Sequence, residues 1–245
     1  MQDLHTKTVR EIALAMPITT RVFEEYKIDY CCHGHTNFNE ACISKGLDPA
    51  AVLEKIDGVV GQLGNRELDW LTTAALAEVI DYIVDKHHHY TREEMTHLTA
   101  LANKVATRHG DHLPSLLELK DTFQELCDEL GPHMMKEEHV LFPYIEEMES
   151  RRDKNMSPAF PPFATVQNPV GMMMIDHETA GELLEKMRKL TDDYTLPEWA
   201  CPSFTALYHR MAELEADLHQ HIHLENNLLF PKAIEMERGV LAAAA

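Results

Sequence analysis

The chain has 245 residues, is 44% hydrophobic and carries a formal net charge of −19 at pH 7. That length and apolar content suit one large domain or two smaller ones with ample core. The charge argues against nonspecific binding to nucleic acid or anionic lipid and favours cations. No apolar run approaches a membrane span. The start, Met1 to Arg10, has no signal-peptide apolar region, so the expected location is the cytoplasm. Five cysteines, odd in number and loosely spaced, do not suggest a disulfide framework.

Residues 1–66 read as a small helical domain. Val9 to Ala15 is a short helix stopped by Pro17, and Thr19-Thr20 offers a cap for a second helix through Tyr26. Phe38 to Lys45 is a third helix. Asp48 caps a fourth, with Pro49 in its first turn, ending near Ile56 before Gly58, Gly61 and Gly64 loosen the chain. Between the second and third lies Asp29-Tyr30-Cys31-Cys32-His33-Gly34-His35. Adjacent cysteines do not easily share one tetrahedral metal, and a disulfide between them is strained. The pair reads as idle thiols, as a redox-active or metal-delivering site with His33 and His35 beside it, or as part of a structural metal site in this segment. Cys42, Cys127 and Cys201 read as core or bystander thiols.

Residues 74–238 read as four helices. Helix A, expected over about 74–107 with Thr72 or Thr73 as its cap, carries His87-His88-His89. Consecutive helical residues diverge by roughly 100°. Continuing the face of Ile80 and Val84 by four residues selects His88. Helix B, about 115–151, carries His133 and Glu137 just after Gly131-Pro132, a predicted kink. A Pro-rich linker over 155–169 leads to helix C, about 170–190, with His177. Helix D, about 203–235, carries His221 and Glu225.

Two of these stretches repeat one pattern: His, three residues, Glu, four residues, Phe-Pro. On a helix, i and i+4 share a face, so each copy points an imidazole and a carboxylate the same way. His88 and His177 stand 45 and 44 residues before His133 and His221. The chain therefore reads as a duplicated helical hairpin, an all-α up-and-down four-helix bundle with a pseudo-twofold centre. Counting the rise of about 1.5 Å per residue from the turns sets all four histidines roughly level. The predicted site is His88, His133, Glu137, His177, His221 and Glu225. Six such ligands suit two metals bridged by the two carboxylates, with an oxo or hydroxo bridge between them. Iron fits the ligand type best, with manganese or a mixed pair as the alternative. Glu129, Asp176 and His109 are candidate supporting or access residues, each equally readable as surface polarity.

Asp29-Tyr30-Cys31-Cys32, the His88 segment, His133 to Glu138, Asp176 to Leu184, and His221 to Pro231 together resemble the Repair of Iron Centres family. These are bacterial di-iron proteins with a hemerythrin-like domain, and the resemblance spans nearly the whole chain. It implies the same six ligands, bridging roles for Glu137 and Glu225, and dimers in some members. It further implies cytoplasmic proteins of nitrosative or oxidative stress that restore damaged iron–sulfur clusters. One departure is His33-Gly34, where the family has two glycines after the cysteine pair. Three functions follow as expectations: iron donation to damaged iron–sulfur proteins, reduction of nitric oxide to nitrous oxide, or sensing of nitric oxide or oxygen. No basic helix suited to DNA is present.

Overall fold

A computed structural model describes residues 4–63, 69–156 and 161–243. Among them every extended element is helical. In α1 (Val9–Ala15), the Thr8 hydroxyl accepts the Glu11 N–H at 3.3 Å while the Glu11 carboxylate accepts the Thr8 N–H at 2.8 Å. This reciprocal cap satisfies donors that a helix start leaves free. The short helices α2 (Thr20–Glu25), α3 (Phe38–Ser44) and α4 (Pro49–Leu63) follow. Thr19 and Thr20 do not cap α2. A tight turn over Pro17–Thr19 leads into it, and Thr20 Oγ1 donates to the Pro17 carbonyl at 2.9 Å. Asp48 does cap α4, accepting the Ala50 N–H at 3.0 Å. That helix runs past its expected end, through Gly58, because Val59 and Val60 extend its apolar stripe onto a core of Ile12, Phe23, Phe38 and Ile56. A helical glycine costs only about 1 kcal/mol, which such packing offsets. The expected domain boundary near residue 66 lies outside the described residues.

The four long helices form an antiparallel bundle. Helix A is α5 (Leu76–Tyr82), a π-helical segment π1 (Ile83–His88) and α6 (His89–His109). Helix B is α7 (Ser115–Lys136), π2 (Glu137–Leu141) and α8 (Phe142–Asp153). Helix C is α9 (Gln167–Thr191). Helix D is α10 (Pro202–Leu224), π3 (Glu225–Leu229) and α11 (Phe230–Ala243). Thr72 and Thr73 are not the cap of helix A. Glu78 accepts the Ala75 N–H at 3.1 Å, and buried Glu149 of helix B accepts the Leu76 and Ala77 N–H groups, each at 3.0 Å. Helix C is begun in the same way from helix D, where Glu237 accepts the Val166 N–H at 2.9 Å. Glu149 and Glu237 each stand twelve residues after the repeated Glu137 and Glu225, so the duplication extends to the helix starts.

Two apolar cores fill the bundle. One, toward the turn at His109, includes Leu98, Phe123, Leu126, Phe204 and Met211. The other includes Val79, Ile83, Phe142, Ile145 and Phe230. The polar cluster lies between them. The N-terminal helices pack on helix D, where the Tyr30 carbonyl accepts from His223 Nδ1 at 3.1 Å and Glu24 pairs with His219 at 2.8 Å. No helix among the described residues is long and apolar enough to cross a membrane.

Candidate metal centre

Glu137 and Glu225 stand where their helices change from α to π winding. Phe142 N–H reaches back five residues to the Glu137 carbonyl, and Phe230 N–H does so to Glu225. The next residue in each is proline, Pro143 or Pro231, which has no N–H to continue the ordinary four-residue pattern. The repeated Phe-Pro thus fits a local expansion of the helix, a feature frequent at functional sites. The expected break at Pro132 is not where the winding changes, since α7 runs through it to Lys136.

The third expansion, π1, alters the reading of the histidine run. His87 and His88 are both buried, and the face passes through Ile83 rather than Val84, which is half-buried. An extra residue in the turn lets two consecutive imidazoles point inward. Only His88 joins the cluster. His87 Nδ1 bonds Asp217 at 3.0 Å, and its ring stacks on His221 with centroids 5.7 Å apart and planes 6° from parallel.

His88, His133, Glu137, His177, His221 and Glu225 converge with none more than 2% exposed. They form two groups of four that share both carboxylates. One group adds His88 and His221, the other His133 and His177. Each group therefore takes one imidazole from each hairpin. The paired Nε2 atoms lie 3.1 Å apart in both groups. Glu225 reaches His221 at 3.0 Å through Oε1 and His177 at 3.1 Å through Oε2. Glu137 Oε2 lies 3.4 Å from His88 and 3.3 Å from His133.

The outer ring nitrogens have their own partners. His88 Nδ1 meets Glu138 at 2.6 Å, and Arg92 holds that carboxylate at 2.8 Å. His177 Nδ1 meets Asn226 Oδ1 at 2.9 Å. His133 Nδ1 lies 3.3 Å from Asp176, which also pairs with Lys136. An acceptor on Nδ1 fixes the tautomer that leaves the Nε2 lone pair inward. Phe142 stacks on His88 and Phe230 on His177.

Both Glu137 oxygens are buried without a hydrogen-bond partner. Burial and the nearby Glu225 charge push the Glu137 carboxyl well above its usual range. Burial, then the neighbouring His221, lowers His88 to about 3, and burial with His177 lowers His133 to about 4. Neutral imidazoles and paired buried carboxylates need a cation to offset them. The donor set fits a binuclear metal site of the di-iron type.

Other predicted residues divide. Asp176 lies beside the cluster, 3.3 Å from His133 Nδ1. Glu129 and His109 do not join the cluster. The buried stripe of α7 steps through Phe123, Leu126, Leu130, His133 and Glu137, so one turn before His133 it falls on Leu130 and leaves Glu129 exposed. His109 lies 21 residues from His88, about 30 Å along the helix, and contacts Cys201 at 3.3 Å. Glu138 and Asn226 were missed as supports. Their shared place, one residue after each repeated glutamate, was the available signal.

Cys31 and Cys32 lie over helix C, with Cys32 Sγ 3.9 Å from the His177 carbonyl. His33 points its ring at Asp29, 2.8 Å away. All five cysteines are free thiols.

Residues 79–233 match the Hemerythrin HHE cation binding domain, and residues 5–59 match a domain of unknown function, DUF542. The chain is 36% identical to the iron-sulfur cluster repair protein YtfE of Escherichia coli O8, over 93% of this chain and 96% of that one. It is 36% identical to YtfE of Edwardsiella ictaluri, covering 91% and 95% of the two chains. Against the iron-sulfur cluster repair protein ScdA of Staphylococcus haemolyticus it is 32% identical, covering 91% and 96%. With both domains matched, and with relatives aligned over nearly their whole length, the chain belongs to the Repair of Iron Centres family, proteins with a hemerythrin-like bundle.

Proposed function

We propose that this protein repairs iron–sulfur clusters damaged by nitrosative or oxidative stress, and that it does so by donating iron. Two irons are held by His88, His133, Glu137, His177, His221 and Glu225, with Glu137 and Glu225 as bridges. The observation that carries this reading is the sharing of both carboxylates by two buried clusters. The names of the relatives supply the repair role. The bound pair supplies exchangeable, redox-active iron. The chain's own residues do the rest. Glu138, Asp176 and Asn226 hold the outer protons of three imidazoles, and the two apolar cores exclude bulk water above and below. Mixing isotope-labelled protein with a target whose cluster has been damaged tests the donation. Label should appear in the recovered cluster, and recovery with all label still in this protein would overturn it.

Burial of the six side chains favours a second reading, since only an ion or a small molecule can reach them. Nitric oxide reduction to nitrous oxide is that reading. Gas analysis of the fully reduced protein in a single turnover separates the two, because nitrous oxide formed without any target present belongs to the second alone.

A further inference from the structure

The turn that carries Cys31 and Cys32 has a geometry that the repair reading does not use. Asp29 Oδ1 accepts the backbone N–H of both cysteines, at 3.0 and 2.9 Å. This folds the two neighbouring side chains onto one side. Their sulfurs stand 3.7 Å apart, and Asp29 Oδ1 is 3.4 Å from Cys31 Sγ. All three donor atoms lie within 4.8 Å of one another.

Those distances can be compared with two chemistries. A disulfide needs sulfurs about 2.05 Å apart. A tetrahedral ion with metal–sulfur bonds of about 2.3 Å sets two thiolates about 3.8 Å apart. With a metal–oxygen bond of about 2.0 Å, it sets a thiolate and a carboxylate oxygen about 3.5 Å apart. The sulfur–sulfur separation and that between Asp29 and Cys31 match the second case. Adjacent cysteines do not easily share one relaxed tetrahedral metal, but the Asp29 turn brings their sulfurs to the required spacing.

We propose that Asp29, Cys31 and Cys32 form a third metal site, which binds one divalent ion of the iron(II)–zinc(II) class in tetrahedral geometry. Paired thiolates with a carboxylate select such borderline ions over magnesium or calcium. The fourth position opens on a cavity of about 960 Å³ between the N-terminal helices and helix C, where Glu178 and Glu182 also face. Binding displaces two thiol protons to solvent and forms two metal–sulfur bonds, with no change of oxidation state. His33, on the far oxygen of Asp29, offsets the negative charge that remains. The site stands whether or not the six bundle residues hold iron.

Titrating the full chain with cadmium(II), and separately with cobalt(II), tests this. The readout is sulfur-to-metal charge-transfer absorption, which histidine and glutamate ligands do not produce. The wild-type chain should show one equivalent with the intensity of two thiolates, and so should a Glu137→Ala, Glu225→Ala variant. Cys32→Ser should halve or abolish the band, while Cys127→Ser and Cys201→Ser leave it unchanged. Asp29→Asn keeps an acceptor for the two N–H groups but lacks the charge, and should weaken binding by tenfold or more. A wild-type chain without the band would overturn the proposal with no variant needed. So would a band that survives Cys31→Ser, Cys32→Ser.

Discussion

The two hairpins of the bundle share a skeleton and differ in what surrounds it. In each, the residue after the repeated glutamate holds the histidine of the preceding helix, and the phenylalanine four residues later stacks on that ring. In the first hairpin the holder is Glu138, an anion pinned by Arg92. In the second it is Asn226, a neutral amide. The residues just before His88 and His177 also differ. Asp176 accepts at His133, whereas its counterpart His87 stacks on His221 and leaves His221 Nδ1 buried without a partner. The lesson is that the six donors stand at repeat-related positions, while the different side chains around them make the two groups chemically unequal.

The largest disruption removes what both halves share. Glu137→Ala or Glu225→Ala takes away a carboxylate common to both groups. Each variant should lose one or both irons by elemental analysis. A metal held at a thousand times its dissociation constant stabilises the fold by about 4 kcal/mol. Thermal melting should therefore fall toward that of the chelator-treated wild type. A variant that retains two irons and its melting temperature would rule out the bridging role.

This shared part was legible in the sequence. The His-x3-Glu-x4-Phe-Pro repeat and the matched spacing of His88 and His177 sufficed to choose all six converging residues and the bundle. The three π segments were not legible, because helical periodicity assumes one constant winding. Hence burial of both His87 and His88 was missed, although the proline after each repeated phenylalanine marked two of the three expansions. Glu149 and Glu237 were also hidden. They cap helix starts more than 70 residues away in sequence, and no local pattern reports such a partner. The N-terminal domain showed its helices, but its docking through Tyr30 depends on a surface of helix D that only the packed bundle creates.

The equivalent histidines should also separate by pH. In the metal-free chain, burial and His221 lower His88 to about 3. His177 moves up instead, because the Glu225 carboxylate beside it outweighs its burial. Burial also lowers His133 and His223, each to about 4. A lowered histidine gives stability present above about pH 6.5 and lost as pH falls, since the unfolded chain gains protons first. Glu137, raised, opposes this above its ordinary value, while the contribution of His177, raised, is fully present below pH 6.5 and so adds no slope there. Stability of the metal-free chain should therefore fall from pH 6.5 toward 4.5 by about 1–2 kcal/mol per pH unit. Denaturant melts across that window check the slope, and a flat profile would contradict it. His88→Gln should lessen the slope, with His133 and His223 keeping the remainder, whereas His177→Gln should leave it unchanged.

A smaller effect tests the two holders directly. Removing a hydrogen-bond partner of a metal-bound imidazole typically costs 10–100-fold in affinity. Glu138→Ala should fall in the upper part of that range, since a charged, ion-paired acceptor is lost. Asn226→Ala should fall in the lower part, since a neutral amide is lost. Rates of iron loss to a competing chelator measure both. Equal losses would mean that the charge difference between the hairpins has no bearing on the metals.

The smallest effect is expected at His87. Replacing it by phenylalanine keeps a flat ring against His221 and removes only the bond to Asp217. That carboxylate is 16% exposed, so water can replace part of what the imidazole supplied. The cost should be about 1 kcal/mol of stability, the usual worth of a hydrogen bond in exchange with solvent. Iron content and chelator resistance should stay as in the wild type, because the ring stacked on His221 is kept. His87→Ala removes the ring as well. It leaves a cavity beside a metal-bound imidazole whose outer nitrogen has no acceptor to hold it. That variant should lose several-fold more iron than His87→Phe under the same chelator. If the two variants release iron equally fast, stacking does not position His221, and the missing acceptor has some other replacement. If His87→Phe alone already releases the metal, the bond to Asp217 is the support, and the first hairpin orients His221 through His87 much as the second orients His133 through Asp176.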